Sequence, residues 1–388
     1  MIHHSSIPKS AVAVIVGGGV MGASIAYHLA SRGQKDIILL EKEDFLGQGA
    51  TGRCAGGVRY QFATDINIRL SIESLPMLER FDQEIGQAID YRSCGYLFLL
   101  SRQEDEAVFR QNVTHQHNLG VNTEWLDGDD IRRWLPIMNL QDILCGTYNA
   151  KDGLVDPNSV VMGYIAAASK KGVKIFTGIE VTEIGVENGS VSKVVTYRGT
   201  ICSPIVVNAA GPWAGKVGSM AGIAIPITPL RRQWLTTTPI PDLPLDFPFV
   251  IDFAQSLYFH REGAGLLTGM SNPNEKPGFD QSIDPAWELT HMEAAMRRMP
   301  ILEYTGLASR LAGLYENTPD AHPIFGVTPV EGFYICAGFS GHGFMHGPIS
   351  GKLMAEIILD GSASTMDISM LDLARFDQNR MIPEFNVV

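Results

Sequence analysis

Apolar and polar positions fall into blocks that read as strand, turn and helix from the start of the chain. Val12–Val16 is a β-branched apolar run, the pattern of a buried parallel strand. Gly17–Gly22 breaks it. Residues 23–32 then show helical spacing, and Gly33 stops the helix. Asp36–Leu40 predicts a second strand. Strand, glycine turn, helix and strand within about 30 residues make one mononucleotide-binding unit. The window Ala11–Ala30 has the ~20-residue length of a membrane span. It also holds Gly17, Gly18, Gly19, Gly22 and His28, so strand, turn and helix explain it better and no membrane span is expected.

Further along, the pattern predicts helices over 67–88, 104–119, 160–171 and 285–299, and a closing helix over 348–359. Strands are predicted at 96–100, 173–177, on through 195, and at 206–209 and 333–337. From Pro226 to Gly269 the chain is rich in Pro and Thr and strand-like. No repeat or low-complexity tract is present. A nucleotide unit at the start and a strand, glycine loop and helix at the end point to one domain assembled from several segments. The expected fold class is α/β: a Rossmann-like nucleotide domain plus an α+β substrate domain with a mainly antiparallel sheet. The expected boundaries are 1–88, 150–222 and 318–388 for the first, and 89–149 and 223–317 for the second.

Composition narrows the function classes. The net charge of -12 over 388 residues argues against a general nucleic-acid binder. The five cysteines (Cys54, Cys94, Cys145, Cys202 and Cys336) are dispersed, with no CxxC pair, which fits neither a disulfide framework nor a zinc site. Reduced thiols and a cytoplasmic setting are expected. Met1–Lys9 shows no signal-peptide pattern. His342 and His346 have i,i+4 spacing but no nearby carboxylate–histidine set, so no metal is expected. His115 and His117 read as a solvated helix face.

Gly17-x-Gly19-x-x-Gly22 follows a strand and opens a helix. The first glycine makes the tight turn, the second admits a pyrophosphate, and the third lets helix pack on strand. Glu41 ends the second strand, where a carboxylate accepts both ribose hydroxyls and repels a 2′-phosphate; NADP is disfavoured. NAD and FAD share this fingerprint. Three further features favour FAD: the strand 206–209 running into Ala210-Gly211, the loop Ala50-Thr51-Gly52 beyond Glu41, and the glycine loop 338–344 before the last helix. Amides of that last loop can stabilise negative charge on a reduced ring.

On these residues the sequence resembles FAD-dependent oxidoreductases of the D-amino-acid oxidase type, on the branch of sarcosine oxidase, glycine oxidase and the β-subunit of dye-linked proline dehydrogenases. The matching runs are VIVGGGVMGASIAYHLASRG at the start, RCAGGVRYQF at 53–62, VVNAAGPWA at 206–214, PLRRQ at 229–233, ENTPDAHPIFG and CAGFSGHGFMHGPISGKLMAEIILDG. The resemblance implies cofactor contacts at Gly17, Gly19, Gly22, Glu41, Thr51, Gly52, Val181, Ala210, Gly211, Gly341, His342 and Gly343. Their neighbours Val20, Met21, Lys42, Phe344 and Met345 are expected to join them. It implies catalytic or substrate roles for Arg59, as a carboxylate clamp, and for Tyr258, Tyr315, His342 and Met345. Three departures matter. Gly313 stands where sarcosine oxidase carries the cysteine bonded to flavin, so non-covalent FAD is expected. Met345 replaces a second basic clamp. Leu267 stands near the lysine that promotes reaction with oxygen, which favours a dehydrogenase over a peroxide-forming oxidase.

The implied reaction moves a hydride from the carbon beside an amine to flavin N5, leaving an imine. Sarcosine, proline and dimethylglycine are the expected kinds of substrate. A neutral amine at pH 7 costs about 4–5 kcal/mol, so an apolar aromatic pocket is needed, with one cation for the carboxylate. Tyr258, Phe259, Tyr315 and Met345 suit the former and Arg59 the latter. Arg59 has alternatives: a flavin phosphate or an internal carboxylate. Arg232 is a second cation able to reach the pocket. His342 reads equally as an acid/base or as packing on the flavin. Cys54 reads as a small packed residue, His260 as strand surface, and Trp213 as junction packing. A separate electron acceptor or partner subunit fits the departures. An H2O2-producing amine oxidase with the same pocket chemistry, a relay subunit inactive alone, and an NAD-dependent dehydrogenase are the rivals.

Overall fold

The computed structural model describes residues 6–387. Most of the Met1–Lys9 stretch read for a signal peptide therefore lies outside the described residues. Strand β1 (Ala13–Val16), helix α1 (Val20–Ser31) and strand β2 (Ile37–Leu40) form the expected opening unit. All eight strand residues are buried on both sides, as in a central parallel sheet. The sheet has six strands in the order Ile324–Val327, Phe333–Ala337, Ile205–Asn208, β1, β2 and Lys174–Phe176. Only the pairing of the first two is antiparallel. Distant chain segments thus meet in one sheet, which brings three strand-end loops to one edge of the fold.

Helix α1 packs between Pro157–Lys170 and Gly343–Asp360. The approach to the latter depends on Gly351, where a Cβ would stand 2.1 Å from Ser24 Oγ. A second sheet of eight strands is mainly antiparallel. Its order is Leu307–Asn317, Thr228–Thr237, Gly265–Met270, Leu257–Glu262, Phe249–Asp252, Tyr96–Leu100, Cys145–Asn149 and Glu124–Asp127. The exception is the parallel pair Phe249–Asp252 with Tyr96–Leu100. A three-stranded antiparallel sheet at 181–202 stands apart.

Three helix expectations need correction. The span 67–88 is two helices, Asp65–Glu79 and Phe81–Ile85, ended by Gly86 at φ 82°. The closing helix starts at Gly343, so Pro348 lies inside it and not at its start. The helix read from Val160 begins at Pro157, with Asp156 accepting from the Asn158 and Ser159 amides; that Asp-Pro cap was present in the sequence. Among the described residues no helix is long and apolar enough to cross a membrane.

Candidate active site

The turn after β1 is shaped by close backbone approach. Gly17 sits at φ 113°, and a Cβ there would stand 2.3 Å from Ala209 O. A Cβ on Gly22 would stand 1.9 Å from Gly17 O. Neither position admits a side chain. Glu41 Oε2 accepts the Gly18 amide at 2.6 Å, and Oε1 accepts the Glu43 amide at 2.9 Å. Burial pushes the Glu41 carboxyl up, against those hydrogen bonds. Thr51 Oγ1 accepts the Val20 amide at 3.2 Å, tying the 50–53 loop to the start of α1.

These groups border one continuous cleft that runs from the Gly17 turn to the late glycine loop. Gly17, Gly19, Val20, Met21, Glu41, Lys42, Thr51, Val181, Ala210, Gly211, Gly341, Gly343 and Phe344 all line it. Gly22 and Gly52 do not; they act behind the lining, Gly52 by donating its amide N–H to Gly47 O at 2.7 Å. His342 and Met345 also fall outside it, because the last helix turns them toward a second chamber. Trp213 lines the large cavity, stacked on Phe279 with Lys42 Nζ 3.6 Å over its ring, and so does more than pack a junction.

The second chamber shares Arg53, Cys54, Arg232, Tyr315, Gly341 and Phe344 with the first. Arg59, Tyr258, His342 and Met345 line it as well. Its walls are aromatic: Tyr96 stacks on Phe249 with centroids 4.1 Å apart, and Phe249 stacks on Tyr258 at 5.6 Å. Each of its tyrosines rests on a glycine. A Cβ on Gly57, Gly269 or Gly341 would come within 1.6, 2.2 and 2.4 Å of Tyr96, Tyr258 and Tyr315. Tyr96 was missed by sequence reasoning; the signal was the glycine pair at 56–57 inside the matching run. Phe259 belongs instead to the core behind the sheet, since neighbours on a strand point to opposite faces. His260 is not surface either: it is buried, stacked on Phe249 at 5.0 Å, and burial lowers it to about 4.

The two arginines differ. Arg59 is buried, with its guanidinium carbon 3.9 Å from the Phe62 ring centroid. Its Nη1 donates to Gln61 O and its Nη2 to Asn386 O, so backbone carbonyls already engage both arms of the fork proposed for substrate. Sequence reasoning did not anticipate the segment that supplies Asn386 and Val387, because its short apolar run has no helix or strand period to place it. Arg232 has an Nε buried without a partner. His342 is fully enclosed against Phe62, and burial with the Arg59 charge holds it well below its ordinary value, hence neutral. Its Nε2 has no partner. Burial pushes the Cys54 thiol up to about 12, which fits a packed residue and not a reactive thiolate. Glu316, on the border of the large cavity, is pushed up by burial to about 7, and its Oε2 is unpartnered.

A backbone cradle at a helix start, a carboxylate beyond it and an unpartnered buried acceptor on the border fit a dinucleotide with ribose and amide donors. The family model described as DAO, FAD dependent oxidoreductase, matches residues 13–357. The chain belongs to this FAD-dependent oxidoreductase family. Among its family relatives, dimethylglycine dehydrogenase of Rattus norvegicus is 32% identical over 95% of this chain and 44% of that protein. Sarcosine dehydrogenase of Mus musculus is 30% identical over 97% of this chain and 43% of that protein. The chain therefore spans less than half the length of these curated relatives. Among solved structures of the family, L-proline dehydrogenase from P. horikoshii superposes with a TM-score of 0.89 at 31% identity, over 97% of this chain and all of that one.

Proposed function

We propose that the protein oxidises a small secondary amine or amino acid, of the sarcosine, dimethylglycine or proline kind, at the carbon beside its nitrogen. The observation that carries this reading is the aromatic chamber with guanidinium groups, opening onto the FAD cavity through shared lining residues. When bound, FAD supplies the hydride acceptor and the substrate becomes an imine. Gly17, Gly19, Glu41, Thr51, Ala210 and Gly211 would hold its nucleotide part, and Gly341 and Gly343 the ring end. Gly313 offers no side chain for a covalent link, so we propose that FAD is bound non-covalently.

Tyr96, Phe249, Tyr258 and Tyr315 exclude water from the amine and favour its neutral form. Neutral His342 adds no positive charge beside the amine, which also favours the amine's neutral form. An arginine anchors the carboxylate. Among the described residues the chamber lining contains no lysine, which supports transfer to an acceptor other than oxygen. The proposed division into an FAD unit (1–88, 150–222 and 318–388) and a substrate unit (89–149 and 223–317) follows the strands of the two large sheets. The five free cysteines support the cytoplasm as the proposed compartment. The filled fork of Arg59 favours one second reading: a flavin-carrying relay subunit that needs a partner.

The test is turnover of the isolated, FAD-loaded chain with candidate amines. Reduction of an artificial dye with little peroxide in air supports the dehydrogenase. A peroxide yield matching amine consumed makes it an oxidase. No turnover with either acceptor supports the relay subunit.

A further inference from the structure

We propose that Arg232, and not Arg59, anchors the anionic group of the substrate, while Arg59 holds a wall of the chamber. The inference rests on the amine or amino-acid reading above and names the residue that orients the substrate. Strand Thr228–Thr237 sets two adjacent arginines on opposite faces. Arg231 faces acidic groups and pairs with Glu275 at 3.2 Å, Asp280 at 3.0 Å and Asp284 at 3.6 Å. Arg232 faces the two cavities and lines both. Its Nη1 donates to Arg231 O at 3.0 Å, and its Nε is buried without a partner. Its guanidinium carbon lies 5.1 Å from the centroid of the Tyr315 ring. A half-buried guanidinium whose Nε is enclosed without a partner gains from an anion at its outer arms, and a carboxylate matches its planar fork.

Arg59 is in the opposite condition. The carbonyl that fills its Nη2 belongs to Asn386, and Asn386 is itself fixed. Its amide donates to Glu384 Oε1 at 3.0 Å, and its Oδ1 accepts from Asn112 Nδ2 at 3.3 Å. Glu384 in turn accepts from the Ala63 and Thr64 amides, from Thr64 Oγ1 and from Asn67 Nδ2. A substrate carboxylate at Arg59 would have to break this chain of bonds. At Arg232 one backbone carbonyl engages Nη1, and the rest of the fork faces the chamber without a hydrogen-bond partner.

The test follows binding without turnover. FAD-loaded protein is titrated with pyrrole-2-carboxylate and with uncharged pyrrole, and the change in the visible flavin spectrum is read. Arg232→Gln is expected to weaken pyrrole-2-carboxylate about tenfold to a hundredfold, the loss of one charge-assisted hydrogen bond. Pyrrole affinity and flavin content stay as in the wild type, and Arg232→Lys restores part of the carboxylate affinity. The proposal is overturned if Arg232→Gln leaves carboxylate affinity unchanged, weakens both probes equally, or lowers flavin content instead. Should Arg232→Gln not fold, Arg232→Lys decides: a selective loss for the charged probe supports the proposal, and wild-type affinity overturns it. Amine turnover in the same samples separates the two ideas. Selective carboxylate binding at Arg232 without any amine oxidation would sink the functional reading alone.

Discussion

The cofactor cavity and the amine chamber touch, yet they are built by different means. The cavity is shaped by backbone: Gly17 and Gly22 leave no room for a Cβ, and Glu41 and Thr51 tie down the amides beside them. The chamber is shaped by side chains from separated strands, by Tyr96, Phe249, Tyr258 and Tyr315, and by a tail segment latched at Glu384. A backbone site is specified by where glycine must stand. A side-chain site is specified by packing between segments far apart in sequence. The contrast predicts that substitutions in the cavity act all-or-none on the cofactor, whereas those in the chamber act in graded steps.

The largest expected effect is on the backbone side. Gly17→Val drives a branched side chain into Ala209 O, so the purified protein should be colourless and should not take up FAD. Retention of a normal flavin content in this variant would break the comparison. Next comes the latch. Glu384→Ala strands buried donors of Thr64 and Asn67 and should cost about 3 kcal/mol of unfolding free energy at pH 7, measured by urea titration. Burial pushes the Glu384 carboxyl up, but the hydrogen bonds from Thr64, Asn386, Ala63 and Asn67 outweigh it and hold it below the usual range. A depressed carboxyl stabilises the fold above its unfolded pKa and loses that contribution as pH falls through its folded value. The deficit of Glu384→Ala should therefore shrink below about pH 4, near the ordinary glutamate value.

Glu316, on the cavity side, has the opposite sign. Burial raises it to about 7. A raised carboxyl favours folding at low pH and loses that contribution as pH rises through the folded value. In FAD-free protein, Glu316→Gln should remove a fall in stability between about pH 4.5 and 7, on the order of 2–3 kcal/mol. An unchanged pH profile would show that Glu316 already has a partner. The smallest effect belongs to Tyr96→Phe. It keeps the stack on Phe249 and should change amine KM by no more than about threefold, the equivalent of under 1 kcal/mol.

The same contrast explains what could be read from the sequence. The opening unit, the fingerprint with Glu41, and the late glycine loop were legible because glycine spacing encodes backbone geometry directly. So was the split of one sheet across the start, middle and end of the chain. Helix starts were less legible. Pro348 reads as a beginning when isolated, but the helix has already begun at the glycine loop before it. Chamber residues were legible in part. Tyr258, Tyr315, His342 and Met345 line it, whereas Phe259 and His260 were placed on the wrong side or depth of their strand. Arg59 was placed correctly in the chamber, but its partners Gln61 O and Asn386 O were not foreseeable. The latter comes from a segment more than 300 positions away, whose apolar residues show no period that says where it docks.

The most direct test of the whole account is anaerobic mixing of the FAD-loaded chain with sarcosine, dimethylglycine and proline, followed by visible absorbance. The account predicts that at least one of these amines bleaches the oxidised flavin bands within the mixing experiment, and that pyrrole-2-carboxylate slows the bleaching by competing for the chamber. A flavin spectrum that no amine alters would contradict it.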